Sequence, residues 1–554
     1  MLPQWVRTWW KRYRCRTSPS QKPRRRRPSL QLGRLEDRLV PTVHIWTGAV
    51  SSLWSAGGNW TGGAPTVGEA NVVLDFPVSP AGNLANVDNI SGNLAINQIN
   101  IVGTGYSFGA VSGSSITLKG GAASPTVSDT LGGNSFNASL PIALGGSSDS
   151  TIQVLAGTDT VNSTLSGGNG LALSGGGTLL LGAANTYGGN TTVSAGTLQN
   201  NVAKALPSAT SLTVDAGATY DLNGHNQALA SLALSGGTVL TEAATLTLNG
   251  DVTATGASSI TGTDPGVDKD NVDLPADRTF TIGTTLSTDA LNIAAVLGGS
   301  GGLDKVGPGT LDLTSANTYS GATTVGAGTL LVDGSVTGTG AVAVNSGTLG
   351  GTGFLAGTVT VNTGGAITGG TLGGIGTLTV GALTFNGGTY AADFNGDTSD
   401  RIDTAGAVNL NAGTAGTFTV NSQSGTTTAA NVFTLIQNTG VGGISNTPFL
   451  GATEGSSGTI DGTAGAFTYA GGAGQNLTFT ATGAPSFTLP APGSYTLKQV
   501  TEAGGSDNLQ LLQGSTIIDS RPSSSVTGTY TVKGASNGVY SLTVDYTASG
   551  GYFQ

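Results

Sequence analysis

Three features of the sequence predict an all-β fold, a parallel β-helix: a Gly-Thr-Leu triplet that returns at a fixed spacing, an abundance of glycine, and a scarcity of charge. The triplet stands at Gly177-Thr178-Leu179 and again 19 residues on at Gly196-Thr197-Leu198. It stands also at Gly309-Thr310-Leu311, Gly328-Thr329-Leu330 and Gly347-Thr348-Leu349, spaced by 19 and 19. Looser returns occur at Gly237-Thr238-Val239, Gly370-Thr371-Leu372 and Gly388-Thr389-Tyr390. A strand-turn-strand unit that cannot bury its own apolar edge, repeated many times, is the sequence form of a solenoid. If residues 42–482 all coil, units of this size give roughly 20 rungs.

Composition agrees. The 554-residue chain holds 92 glycines and only 9% charged residues, where ordinary soluble domains have about 7% glycine and about 25% charge. Strong helix formers are scarce, while Thr, Val, Ser and Asn favour short strands and tight turns. The glycines follow no three-residue period, which excludes a collagen helix. The hydrophobic fraction of 37% argues against disorder.

The clearest internal duplication pairs TLLLGAANTYGGNTTVSAGTL at 178–198 with TLDLTSANTYSGATTVGAGTL at 310–330, identical at 15 of 21 positions. Leu179 and Leu181 match Leu311 and Leu313, whereas Leu180 between them becomes Asp312. This period of two predicts a strand with the outer pair facing a core and the middle residue facing solvent. Asn185-Thr186-Tyr187 and Asn317-Thr318-Tyr319 interrupt the apolar pattern and are followed by Gly189 or Gly321, which predicts a turn. Thr191-Thr192-Val193 and Thr323-Thr324-Val325 resume the strand.

The ends differ from the middle. Residues 1–40 hold 12 of the 21 basic residues and 2 of the 31 acidic ones, which leaves 9 basic against 29 acidic side chains beyond them. A body so poor in Lys and Arg has no footprint for phosphate backbones, so no nucleic-acid partner is expected. The leader carries the basic residues of a secretory n-region without the apolar h-region that normally follows. Cys15 is the single cysteine, so no intrachain disulfide forms. All six tryptophans fall early in the chain, none beyond Trp60. Trp46, Trp54 and Trp60 predict a cap over the open cross-section of the first coil, with a sugar-stacking platform as the alternative. No run of about 18 apolar residues occurs, so no transmembrane helix is expected. Residues 483–554 predict a small β-rich module with strands near Tyr495–Val500, Thr529–Val532 and Val539–Tyr546. A membrane β-barrel needs about eight or more strands of roughly ten residues, so none is expected in this chain.

The two 21-residue copies resemble the autotransporter-associated β-strand repeat, whose Gly-Thr-Leu strand, Asn-Thr-Tyr turn, Thr-Thr-Val and second Gly-Thr-Leu they match position by position; the clearest copies span 171–200 and 303–332. Tyr220 to Gln227 resembles the DLNGxNQ rung of such proteins, and Thr352 to Gly365 their later Gly-rich rungs. Phe467 to Asn476 is similar to the ending of these domains, but Ala473 and Gln475 stand where acidic or amide residues are usual. Leu35-Glu36-Asp37-Arg38-Leu39-Val40-Pro41 resembles the LEDRxxP segment near the start of large bacterial surface proteins. The resemblance implies a passenger-like domain at the cell surface or outside the cell, associated with the outer membrane. It divides the chain into an export-type segment at 1–41, a β-helix at 42–482 and a β-rich module at 483–554.

Candidate chemistry is sparse. His44 and His225 are the two histidines, far apart along the chain, and His225 reads as a turn residue. Gly298 to Gly302 satisfies G-x-S-x-G without the strand-turn-helix context or the partner histidine of a nucleophile elbow. Asp264, Asp268, Asp270, Asp273 and Asp277 form one acidic cluster, and Asp393, Asn395, Asp397, Asp400 and Asp403 a second. The second begins like an EF-hand loop, but Thr398 and Thr404 stand where Gly and a bidentate Glu are needed. Both clusters read as solvated acidic loops, with weak calcium binding at the second as the alternative. No other cofactor is expected. Two functions then compete. One is a non-enzymatic, adhesin-like surface or secreted rod that contacts cell-surface or matrix components, polysaccharide among them. The other is a β-helix protein that binds or degrades polysaccharide. Lyases of acidic sugars need clustered Lys or Arg to neutralise the substrate carboxylate, and the nine basic residues of the body are scattered singly.

Overall fold

In the computed structural model, each Gly-Thr-Leu triplet lies directly over the next. Thr178 pairs with Thr197 and Leu179 with Leu198, in parallel register, and Thr310, Thr329 and Thr348 continue the pattern in the second copy. The structure describes residues 41–481 apart from 79, 81, 121–123, 263–271, 284–286, 372, 423–430, 441–442, 445–448, 450–454, 456, 461–462 and 472–475, together with the backbone of six strands beyond 481. The first of two compact units, Met1–Val40, contains no described residue. The basic leader, Cys15 and the LEDRxxP segment up to Val40 therefore lie outside the described residues.

Each turn of the coil presents up to three faces. The first carries Leu171–Ser174, Thr191–Val193, Ser211–Asp215 and Ser231–Ser235, stacked in parallel. The second carries Thr178–Leu181, Thr197–Asn200, Thr219–Asp221 and Thr238–Leu240. A third, narrower face appears as Gln227–Leu229, Leu246–Leu248, Val272–Asp273 and Leu297–Gly298. Period-two patterning decides what fills the interior. Leu179, Leu181, Leu311 and Leu313 are fully buried, while Leu180 and Asp312 between them lie outward and partly exposed. Because neighbouring turns are in register, inward residues form columns such as Leu179, Leu198, Tyr220 and Val239. Glycine makes the corner between the first and second faces. Gly196 and Gly328 have φ of 74° and 66°, and a Cβ on either would come 2.4 Å from a carbonyl oxygen of the turn before.

The coil makes about 15 turns, fewer than the expected 20. Two causes account for the difference. The step between paired residues, 19 from Thr178 to Thr197, grows to 28 from Val252 to Phe280 and 34 from Ile402 to Ile436, so fewer turns fit into the same length of chain. After Val432–Asn438, which still pairs in parallel with Arg401–Thr404, the pattern changes: Asn476–Ala481 pairs antiparallel with it and with Thr463–Gly471. Beyond Ala481 the described strands form two three-stranded sheets, with Thr496–Thr501, Gly528–Gly534 and Val539–Val544 close to the expected positions. Among the described residues, no helix is long and apolar enough to cross a membrane.

The first turn is closed by its aromatics. Trp46, Trp54 and Trp60 are buried, with ring centroids 4.9 Å apart for Trp46 and Trp60 and 5.9 Å for Trp54 and Trp60. Edge-to-face contacts pass to Phe76 and then to Phe108, 4.8 Å further in. Each indole N–H donates to an oxygen: Asn83 O at 2.9 Å, Asn86 Oδ1 at 2.9 Å and Trp54 O at 2.8 Å. The sheet edges are covered as well, since Trp60–Thr61 pairs antiparallel with the strand Thr42–Trp46 and Leu53 bridges to Val87. With the ring faces inside the fold, these tryptophans are a cap and offer no platform to a sugar. Replacing inward Leu179 by Ala is expected to cost about 2–5 kcal/mol, and replacing outward Leu180 by Ala less than about 1 kcal/mol; urea denaturation of the two variants checks this.

Candidate functional site

The residues that define the repeat converge inside the coil. The sequence places Asn185 and Tyr187 in a turn, yet both point inward across the narrow third face, as do Asn317 and Tyr319. Asn185 Oδ1 accepts the Leu165 N–H at 2.7 Å and its Nδ2 donates to Ala205 O at 2.7 Å, so one amide links its own turn to those before and after. Asn317 repeats the arrangement, accepting from Leu297 N at 2.9 Å and donating to Ser335 O at 3.1 Å and Ser315 O at 2.9 Å. The third face has short strands, so its buried backbone groups need side-chain partners, and a primary amide supplies both donor and acceptor. Tyr187 and Tyr319 then meet Thr191 and Thr323, hydroxyl to hydroxyl, at 2.5 and 2.8 Å. Burial pushes the Tyr319 phenol up to about 12, so both tyrosines are neutral structural groups. Sequence reasoning missed Gln227, which plays the same part: its Oε1 accepts from Leu206 N at 3.0 Å and its Nε2 donates to Leu206 O at 2.8 Å. The signal was present in its place just after the Asn223-Gly224 turn, at the start of a strand.

The second acidic cluster is divided by the fold. Asp393 lies on Thr389–Asn395, which folds back onto Thr398–Ser399 through a tight hairpin that exposes Asn395 and Asp397. Asp393 and Asp400 are buried and adjacent: the Asp393 N–H donates to Asp400 Oδ2 at 3.1 Å, and the Asp400 N–H to Asp393 O at 2.9 Å. The other donors to the Asp400 carboxyl are Thr368 Oγ1 at 2.6 Å and Gly376 N at 3.0 Å, while Gly373 N donates to Asp393 Oδ2 at 2.6 Å. Burial, only partly offset by these donors, pushes Asp400 up to about 7. Asp403 turns away to form an ion pair with Arg401 at 2.7 Å. Of the first cluster, Asp264, Asp268 and Asp270 lie outside the described residues. Asp277 Oδ1 accepts the Gly302 N–H at 2.7 Å. Among the described residues no three His, Cys, Asp or Glu side chains are grouped to hold a metal ion.

His44, Ser300 and Lys305 are likewise committed to hydrogen bonds. His44 is buried, its Nδ1 2.8 Å from Gly63 O and its Nε2 3.1 Å from Glu69 Oε1, whereas His225 sits in the turn after Leu222. Ser300 is exposed and donates to Pro275 O at 3.2 Å. Lys305 occupies an inward position between Phe280 and Val325, where its ammonium donates to the carbonyls of Val306, Gly307 and Ala327 at 3.1, 2.8 and 3.0 Å. Burial pushes it down to about 8. Asn317→Ala is expected to cost about 1–3 kcal/mol by stranding the Leu297 N–H, seen as an earlier denaturation midpoint. Millimolar calcium is expected to leave the melting temperature unchanged, because N–H and O–H donors already aim at the Asp393 and Asp400 carboxyls; calorimetry with and without the ion checks this.

Comparison with known proteins agrees with this architecture. Residues 171–199 and 303–332 match the passenger-associated-transport-repeat family, and they are the two stretches built around Asn185 and Asn317. A stretch of 186 residues is 32% identical to the adhesin BmaC autotransporter of Brucella suis biovar 1 (strain 1330), covering 32% of this chain and 5% of that protein. The chain thus spans only a small part of the relative's length. It is a parallel β-solenoid that carries two passenger-associated transport repeats and is similar, over about a third of its length, to an autotransporter adhesin.

Proposed function

We propose that this chain is a non-enzymatic, adhesin-like part of a bacterial surface or secreted protein, a solenoid passenger at the outer membrane that spaces and presents contacts to cell-surface or matrix components, polysaccharide among them. The observation that carries the reading is the pair of passenger-associated repeats built into an in-register coil whose converging polar groups are internal. A lyase of acidic glycans needs a base, an acid and a cation gathered where a chain can lie, and a glycoside hydrolase needs two carboxyl groups facing each other across it. Here Asp393 and Asp400 are sealed beneath the hairpin, Lys305 is enclosed by carbonyls, and Arg401 is held by Asp403. Arg278 donates to Leu248 O and Asp277 O. The outward faces instead carry columns of threonine, serine and asparagine, suited to many weak contacts along a length.

Cell fractionation with an antibody against the coil, combined with protease treatment of intact cells, tests the location. The protein is expected with the outer membrane or medium and is expected to be cleaved or shed from intact cells. Recovery in the cytoplasm would overturn the proposal. Incubating the purified protein with acidic and neutral polysaccharides is expected to release no new reducing or unsaturated ends.

A further inference from the structure

The corner between the first and second faces, early in the coil, contains two carboxyl groups that no surface role explains. Asp129 ends the strand Thr126–Asp129, and Asp159 lies on Thr158–Val161 in the following turn; both are buried. Asp129 Oδ1 accepts the N–H groups of Leu131 at 2.9 Å and Gly132 at 2.8 Å, and its Oδ2 accepts from Asn134 Nδ2. Asp159 Oδ1 accepts the Asn134 N–H at 3.0 Å. Asn134 reaches back as well, taking the Tyr106 N–H on its Oδ1 at 2.8 Å and donating to Gly103 O at 3.0 Å. Segments 103–106, 129–134 and 159 belong to three successive turns, so this cluster fastens each to the next.

We infer that Asp129 and Asp159 form a latch that shares one proton, holds these three turns together, and loosens as the pH rises. Two buried carboxyls that meet at Asn134 require a proton. Asp129 takes three N–H donors and Asp159 one, and Asn134 draws the two carboxyls together through its Nδ2 and its backbone N–H, so without a proton two like charges would stand side by side away from water. Asp129 is the charged group that faces Asp159. The strands packed on the pair, Ser107–Ala110, Ser135–Phe136, Ser150–Val154 and Thr178–Leu181, carry no acid or base. The Tyr106 phenol points away to Pro77 O at 2.7 Å. These strands therefore offer no cation to balance a second negative charge. Burial first, and Asp129 second, push Asp159 up to about 8, and the proton belongs to the pair rather than to one residue.

The sign follows from linkage. The folded pair keeps a proton that the unfolded chain releases near pH 3.8, so the contribution is complete below that pH and is lost as the pH rises through about 8. In that window the opening equilibrium of this corner gains up to about tenfold for each pH unit.

Asp159→Asn tests the latch in the full chain. Its amide keeps a donor toward Asp129 and an acceptor for the Asn134 N–H but cannot ionise. Wild type is expected to lose melting temperature from about pH 6 to about pH 8, and Asp159→Asn to lose less, while the other buried carboxyls, Asp88 and Asp400, which burial pushes up to about 6 and about 7, titrate alike in both. Difference infrared spectra at neutral pH are expected to show a protonated carboxyl that the variant lacks. Parallel melting profiles, or equal carboxyl bands, overturn the inference. If Asp159→Asn does not fold, Asp129→Asn provides the second arm: it removes the facing charge, so the wild-type loss is expected to shift in pH. An unmoved profile in that variant overturns the inference equally.

Discussion

The structure depends on one constraint, that each strand pairs with its counterpart one full turn away and in register. Parallel ladders of this kind repeat about every 4.8 Å, so whatever a position contributes is laid directly on what the same position contributed a turn earlier. Leucine lies on leucine at 179 and 198, and threonine on threonine at 310 and 329. No single turn has a core of its own. Burial belongs to the stack, which is why the two open ends need special residues and why Trp46, Trp54, Trp60 and Phe76 are spent at the first turn.

The same constraint makes the corners hard to build. Along the strands the ladder satisfies the backbone, but where the chain bends, carbonyls and amides face inward without partners. The coil answers with buried polar side chains that bridge turns: Asn185 and Asn317 on the third face, Gln227 where that face widens, Asn134 near the start, and the ammonium of Lys305 over three carbonyls. An unmade hydrogen bond in such a place costs about 1–3 kcal/mol, so these residues decide stability as much as the leucines do. Lys305 stands where the first copy has Leu173, and the exchange is tolerated because all three ammonium protons find oxygen.

How much of this was legible follows from the length of the pattern each feature needs. Period two is visible within a single short strand, so Leu179 and Leu181 against Leu180 sufficed to place it and its inner face. The stacking was visible because the copies keep a constant step. Rung number was not, since one turn's step can lengthen, as it does between Ile402 and Ile436, and leave the pairing intact. Asn185 and Tyr187 looked like turn residues because polar side chains in a Gly-rich stretch usually are, and only the third face shows their backbone partners. Asp129 and Asp159 left no trace in the sequence: they stand well apart along the chain, in turns of unequal length, and neither belongs to a motif. The acidic run at 393–403 was conspicuous, but a hairpin puts Asn395 and Asp397 at its exposed tip and brings Asp393 and Asp400 together beneath it, while strand alternation turns Asp403 away from buried Ile402.

Register also accounts for the scarcity of charge. An outward column places side chains of successive turns about 4.8 Å apart, at which two like charges repel by about 1 kcal/mol even in water. A column of acids or bases along many turns would accumulate that penalty at every step. The second face carries instead Thr158, Thr178, Thr197, Thr219 and Thr238 in one column. At three outward carboxylates an amide lies next to the acid in the ladder: Asp75 receives from Asn100 at 2.7 Å, Asp221 from Gln199 at 2.7 Å and Asp312 from Asn292 at 3.1 Å. Each neighbour is neutral and donates, so the acid gains a hydrogen bond where a second acid would have been repelled. A low charge content is therefore a requirement of stacking in register, and the neutral hydroxyl and amide surface that results is the one the coil presents to whatever it touches.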